Sequence, residues 1–350
     1  MAPVILALKR TSVFEVRVLA TAQHRHLLDQ VMQVFGIQPD IDLDIMRPNQ
    51  GLTELTGRIL LELDRVFQVE KPDVVLAQGD TTTVMTIALA CFYCKIPFGH
   101  IEAGLRTWDI QNPFPEEMNR VIAGRLAKWH FAPTEDSRNN LLREGIGNAD
   151  IFVTGNTVID ALLSVSDQPA QLPSGLDPNK RLILMTAHRR ENFGEPFARI
   201  FRAILTLLER NEDIQLLYPV HPNPNVREMA YGLLGNHPRV VLCEPLEYLP
   251  FVVAMKRAYI ILSDSGGVQE EGPALGKPVL VLRNETERPE AVAEGVVKLV
   301  GTDFQLIVSE TQRLLDDVEA YHAMARGVSP YGDGHAAARI TKILNQHFFP

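Results

Sequence analysis

Two parallel αβ domains are what this sequence predicts, and three observations predict them. At 350 residues the chain exceeds what one hydrophobic core usually organises, so two domains are expected. Apolar, β-rich segments alternate with amphipathic stretches along the whole length, the order that builds parallel sheets wrapped by helices. Between them, SVSDQPAQLPSGLDPNK (Ser164–Lys180) gathers the Ser, Asp, Pro and Gly of a hinge. Two open αβ domains facing each other across a cleft follow, with ligands expected beyond the carboxyl ends of the strands.

In the first half the apolar β-rich runs are Val16–Ala20, Asp73–Gln78, Pro97–Ile101, Trp129–Ala132 and Ile151–Thr154. In the second they are Arg181–Thr186, Ile214–Pro219, Val240–Cys243, Tyr259–Ser263, Pro278–Leu282 and Val296–Val300. Amphipathic spacing marks helices at Leu52–Val69, Thr81–Cys94, Glu116–Ala127, Ser137–Glu144, Pro196–Arg210, Tyr248–Lys256, Arg288–Ala293 and Phe304–Asp316. A last amphipathic segment, His335 to His347, is expected to fold back on the first domain. The domains are therefore drawn as 1–155 with 336–350, and 156–335.

Composition narrows the function classes. A hydrophobic content of 46% with 22% charged residues belongs to an ordinary globular protein. No apolar run reaches the ~18 residues that span a bilayer, and MAPVILALKR lacks the plan of a signal peptide, so a cytoplasmic location is expected. Lys and Arg number 34 against 43 Asp and Glu, a net charge of −9 that disfavours nucleic-acid or anionic-membrane partners. An anionic substrate must then be gripped by a few placed cations. Three cysteines suit a reducing compartment rather than a disulfide framework. Cys91 and Cys94 form a CxxC inside a helix-like run with no second ligand pair, so helix packing is favoured over redox or zinc chemistry. No GxGxxG stands at the expected place, which counts against a nicotinamide dehydrogenase.

The most informative stretch is YIILSDSGGVQEEGPALGKPVLVLRNETERPEAVAEG, residues 259–295. An apolar run stops at Ser263, Asp264, Ser265, Gly266 and Gly267, and a helix-compatible segment follows. Backbone N–H groups and the positive end of a helix dipole converge at such a turn, and glycines admit a phosphate close to the main chain. Glu271 offers a carboxylate for adjacent ribose hydroxyls, and Arg288 a fork of donors. Diphosphate with ribose means a nucleotide.

Five further clusters carry candidate groups, most of them just after strand ends. In AQGDTTT, Asp80 opens a helix, where the plain alternative is an N-cap. In HIEAGLRT, Glu102 ends a strand with Arg106 close by, and a carboxylate there is hard to explain as packing. NPFPEEMNR sets Glu116 and Glu117 in a first helical turn, with Arg120 placed to pair with Glu116 or reach a phosphate. TAHRRENFG and YPVHPNPNVR place His188 and His221 after strands, and His188 beside two arginines is a candidate for contacting a leaving phosphate. Three carboxylates at separate strand ends suit proton chemistry on a nucleotide sugar.

In this order GDTTT, HIEAGLRT, PEEMNR, TGNTVIDAL, HRREN, YPVHPNPNVR, EYLPF, SDSGGVQEE, GKPVLVLRNETERPEAV and SPYGDG run essentially from end to end, and the chain so read resembles the non-hydrolysing bacterial UDP-N-acetylglucosamine 2-epimerases. The resemblance implies a GT-B-type fold of two Rossmann-like domains, a homodimer, and interconversion of UDP-N-acetylglucosamine and UDP-N-acetylmannosamine for polysaccharide biosynthesis. It implies that UDP leaves C1 as the C2 proton is removed, then re-adds after reprotonation from the other face. Asp80, Glu102 and Glu116 become the acid/base and charge-stabilising carboxylates; His188 assists the diphosphate with Arg120 nearby. Ser265, Gly266, Gly267, Glu271 and Arg288 hold UDP, and Phe251 lines the uracil. No redox cofactor or metal is implied. A second UDP-N-acetylglucosamine is implied as an activator, served by Gln23, His24 and Arg25.

Family members open with an apolar strand and a loop close to GTRPEAIK, whose arginine and lysine serve the active site. Here the sequence begins at the following helix, so the first domain is expected to lack a central strand because the start is placed late. Three other readings stand beside the epimerase: a UDP-sugar glycosyltransferase, a hydrolysing epimerase releasing free N-acetylmannosamine, and a nucleotide-sugar-binding homologue inactive without that strand and loop.

Overall fold

The computed structural model describes residues 1–350 except 22–24, 46, 48–49, 190–191 and 350, and of 25–28 the backbone only. It divides into two units, residues 1–161 with 331–350, and residues 162–330. The first carries α1 (Ala2–Lys9), β1 (Leu19–Ala20), α2 (Arg25–Val34), β2 (Ile41–Asp42), α3 (Leu52–Glu70), β3 (Val75–Gln78), α4 (Thr82–Cys94) and β4 (Phe98–Ile101). It continues through α5 (Glu116–Leu126), β5 (Trp129–Ala132), α6 (Glu135–Arg143), β6 (Ile151–Val153) and the start of α7 (Thr157–Val165). The second holds β7 (Arg181–Thr186), α8 (Glu195–Arg210), β8 (Ile214–Pro219), α9 (Pro224–Leu234), β9 (Val240–Cys243), α10 (Tyr248–Arg257) and β10 (Ile260–Ser263). After these come α11 (Gly266–Ala274), β11 (Val279–Val281), α12 (Pro289–Ala293), β12 (Val297–Leu299), α13 (Phe304–Asp316) and α14 (Val318–Met324). The chain then returns to the first unit as α15 (Ala336–Phe348).

In the first unit, β3-β4-β5-β6 form a parallel sheet, and β1 and β2 form a separate parallel pair. The expected strand Val16–Ala20 is reduced to two residues; the Val18 carbonyl already accepts from the N–H groups of Asp40 and Ile41. Along α3, Leu55, Ile59, Leu63 and Phe67 recur every four residues and pack with Ala77, Val84, Ala88 and Phe98. Alternate residues of β4 serve opposite clusters: Phe98 joins that one, whereas Ile101 packs with Trp129, Phe131, Val4 and Leu8 of α1, and Ile340 and Leu344 of α15. Asp160 fixes the return, its carboxylate accepting the N–H groups of Ala336 (3.1 Å) and Ala337 (2.8 Å) at the start of α15.

The second unit is one six-stranded parallel sheet in the order β12-β11-β10-β7-β8-β9. Its central strands β7, β8 and β10 are largely apolar and buried, as in a sheet whose faces are covered by helices. Phe197, Ile200, Phe201, Ile204 and Leu207 of α8 pack on Ile183, Met185, Leu216 and Tyr218. Numbered within the unit, the order reads 6-5-4-1-2-3, a doubly wound sheet whose switch point lies between β7 and β10. Helix α9 escapes the sequence reading because Asn223 and Pro224 look like a loop. In fact Asn223 caps α9 by accepting the N–H of Asn225, and Pro224 occupies its first turn.

Candidate active site

In the first unit the candidate carboxylates follow β3 and β4 and open α5. Asp80 is not the cap of α4: Thr81 is, its hydroxyl accepting the Val84 N–H at 3.4 Å. The Asp80 carboxylate instead bonds Arg120, and its backbone oxygen accepts Asn119 Nδ2 at 2.9 Å. The same guanidinium donates through Nη1 to Glu117 at 2.9 Å. Glu117, 1% exposed, also takes the N–H groups of Thr107 (2.9 Å) and Trp108 (3.0 Å). Arg120 thus pairs one turn back with Glu117 rather than with Glu116, which sits half-buried at the first position of α5. The paired glutamates signal a site in the sequence without telling which is free for chemistry and which anchors the loop.

Glu102 sits in the left-handed region at φ 64°, an uncommon setting for a side chain of this size. Gln78 Nε2 donates to its carboxylate at 3.3 Å. Gly104, two residues on, also has positive φ, and a Cβ there would stand 2.2 Å from the Ser137 carbonyl oxygen, so the turn after Glu102 demands glycine. Arg106 turns elsewhere, making a bidentate pair with Glu144 at 2.7 and 2.8 Å. Beneath the turn His100 bonds the Gly79 carbonyl at 2.8 Å, and burial lowers its pKa to about 4, keeping it neutral.

In the second unit the candidates gather at the switch point. Thr186 and Ser263 exchange a hydroxyl hydrogen bond of 2.7 Å between the ends of β7 and β10. His188 follows β7, and its Nδ1 stands 3.2 Å from Asp264 Oδ1. The other oxygen of Asp264 accepts the N–H groups of His188 and Arg189, both at 2.8 Å, and Asn192 Nδ2 at 3.3 Å. Burial alone would raise the Asp264 carboxyl, but the imidazole and these N–H groups together hold it below its usual range. The His221 ring lies parallel to His188 with centroids 5.5 Å apart. Burial, then the His188 charge, lower the pKa of His221.

Ser265 is the residue before α11, and its carbonyl accepts Gln269 Nε2 at 3.2 Å. A Cβ on Gly266 or Gly267 would meet no heavy atom within 4 Å, so the first turn of α11 presents bare backbone N–H groups. Glu270 and Glu271 are both buried. Arg288, which precedes α12, bonds Glu270 through Nε. Burial and the charge of Glu270 raise Glu271 to about 8. Phe251 lies half-buried in the first turn of α10.

Cys91 and Cys94 lie in α4 as free thiols, Cys91 in the core with its pKa raised by burial to about 12. Gln23 and His24 lie outside the described residues, as does the side chain of Arg25. Among the described residues no group of three His, Cys, Asp or Glu is placed to hold a metal ion.

Chemically, the first unit offers carboxylates positioned by hydrogen bonds at strand ends, and the second offers an anion-receptive helix start with an imidazole and a buried glutamate. Residues 6–345 match the family model described as UDP-N-acetylglucosamine 2-epimerase. The UDP-N-acetylglucosamine 2-epimerase of Escherichia coli K12 is 54% identical over 99% of this chain and 95% of its own. The crystal structure of UDP-GlcNAc 2-epimerase from Neisseria meningitidis, bound to UDP-GlcNAc, superposes with a TM-score of 0.90 at 49% identity, over 99% of this chain and 96% of that one. The Methanocaldococcus jannaschii enzyme, in complex with UDP-GlcNAc and UDP, gives 0.81 at 34% identity over 99% and 95%.

Proposed function

Because the chain belongs to the UDP-N-acetylglucosamine 2-epimerase family, we propose that it is an isomerase interconverting UDP-N-acetylglucosamine and UDP-N-acetylmannosamine. The match along nearly the whole chain carries this reading. UDP leaves C1 as the C2 proton is taken, the C2–H electron pair forming the double bond of an enzyme-held glycal. Return of a proton to the opposite face and re-addition of UDP give the epimer.

We assign the site residues as follows. Asp80, Glu102 and Glu116 supply the proton-transfer and charge-stabilising carboxylates, and Arg120 orients Asp80. His188 assists the departing diphosphate. Ser265, Gly266, Gly267, Glu271 and Arg288 hold UDP, with Phe251 against the uracil. Support comes from the glycine-led start of α11 and from the burial of Glu271 behind it. We further assign a homodimer, a role in polysaccharide biosynthesis, and a second UDP-N-acetylglucosamine as activator at Gln23, His24 and Arg25. The three free cysteines support a reducing, cytoplasmic setting.

The test is a proton NMR time course with UDP-N-acetylglucosamine in D2O. UDP-N-acetylmannosamine carrying deuterium at C2 is expected. Free N-acetylmannosamine would mean the hydrolysing reaction, and binding without exchange at C2 would mean a nucleotide-sugar-binding protein or a glycosyltransferase awaiting an acceptor.

A further inference from the structure

Asp264 is a buried ionisable group at the switch point to which the assignments above give no part. It is 0% exposed on the turn after β10. One oxygen is fully occupied by the N–H groups of His188 and Arg189 and by Asn192. That oxygen alone would make Asp264 a clasp between two turns. The other, Oδ1, is buried and accepts no well-aligned hydrogen bond, yet His188 Nδ1 stands 3.2 Å from it. A buried carboxylate oxygen facing an imidazole nitrogen needs a reason beyond packing, and such contacts often straighten when substrate binds.

We propose that Asp264 is a positioning residue for His188, holding the imidazole with its proton on Nδ1 so that Nε2 serves the diphosphate. The proposal rests on the part assigned to His188. In the forward step imidazolium His188 carries protons on both nitrogens. The C1–O bond breaks with its electron pair passing to the phosphate oxygen, which takes the Nε2 proton. Nδ1 keeps its proton toward Asp264, and Nε2 recovers the other when UDP re-adds. The surroundings fit. His221, parallel to His188, is disfavoured from charging beside it, and Arg189 meets the carboxylate through its backbone N–H. Tyr218 is buried with its hydroxyl on the Ala187 carbonyl at 2.7 Å, which steadies the strand end that presents His188.

The experiment uses the full chain labelled with 15N-histidine, with the His188 signals assigned by their loss in His188→Gln. In the unsubstituted protein neutral His188 is expected with its proton on Nδ1. In Asp264→Asn the proton is expected to move to Nε2, with kcat falling about 10²- to 10⁴-fold and the Kd for UDP changing less than about threefold. A proton already on Nε2 in the unsubstituted protein overturns the proposal, and this holds even if the variant does not fold. An Asn variant with unchanged kcat overturns it as well. Normal turnover by His188→Gln is a separate outcome that removes the part given to His188, whatever its tautomer.

Discussion

Glu270 and Glu271 are neighbours on α11, both buried, and Arg288 pairs with Glu270 while Glu271 is pushed up to about 8. Between its ordinary 4.5 and that value, the folded chain keeps a proton on Glu271 that the unfolded chain releases. Stability therefore falls through this window as pH rises. In Glu271→Gln the slope is expected to flatten, leaving the variant favoured at pH 8 relative to pH 5 by up to a few kcal/mol. Urea unfolding at the two pH values checks it.

Ribose hydroxyls donate best to an ionised carboxylate, so UDP binding is expected to expel the Glu271 proton and tighten as pH rises toward 8. Calorimetry of UDP binding at pH 7 in buffers of different ionisation enthalpy should show proton release. Glu271→Gln should release none and bind UDP more weakly, by roughly tenfold or more.

Asp80→Asn and Glu116→Gln are each expected to slow epimerisation about 10²- to 10⁴-fold, with UDP affinity nearly unchanged. Turnover by the NMR assay and UDP binding by calorimetry separate the two quantities. Normal turnover in either variant removes that residue from the proton-transfer set.

Arg288→Ala takes the ion-pair partner from buried Glu270. Two losses are expected together: weaker UDP binding, and up to about 3–5 kcal/mol of stability from the weakened pairing of buried Glu270. Denaturant unfolding and UDP titration measure them independently.

Glu117→Ala removes the acceptor for Thr107, Trp108 and Arg120 at once. A cost of about 3–5 kcal/mol is expected, with slowed turnover because Arg120 no longer steadies Asp80. Glu116→Gln, by contrast, should leave stability near that of the unsubstituted chain, and unfolding curves of the two variants distinguish anchor from actor.

Most strands and helices were legible because their signals are local, whereas the two-residue β2 (Ile41–Asp42) is too short to leave a pattern. Phe304–Asp316 is a helix over the expected residues, and the buried strands of the second unit read as largely apolar runs. Asp80 and Glu102 stand out for the same reason, as polar residues just past apolar segments, and Glu116 as one of a glutamate pair behind two prolines. What stayed hidden depends on contacts between distant parts of the chain. Asp264 is 76 residues from His188, and Arg120 is 40 from Asp80. Neither partnership leaves a spacing to read, and nothing in PEEMNR says which glutamate turns inward. Pro224 misled for the opposite reason, since a proline that starts a helix resembles one that ends a strand.

The clasp of Asp160 on the start of α15 has a consequence for synthesis. The first unit is discontinuous: Ile340 and Leu344 complete a core begun by Val4 and Leu8, and every residue of the second unit is translated between them. On the ribosome, 162–330 can therefore emerge whole and close its sheet while the first unit still exposes the surface that α15 will cover. The earlier-made unit is the later one to finish, and a chain arrested before residue 336 would carry that open apolar face to whatever chaperone meets it.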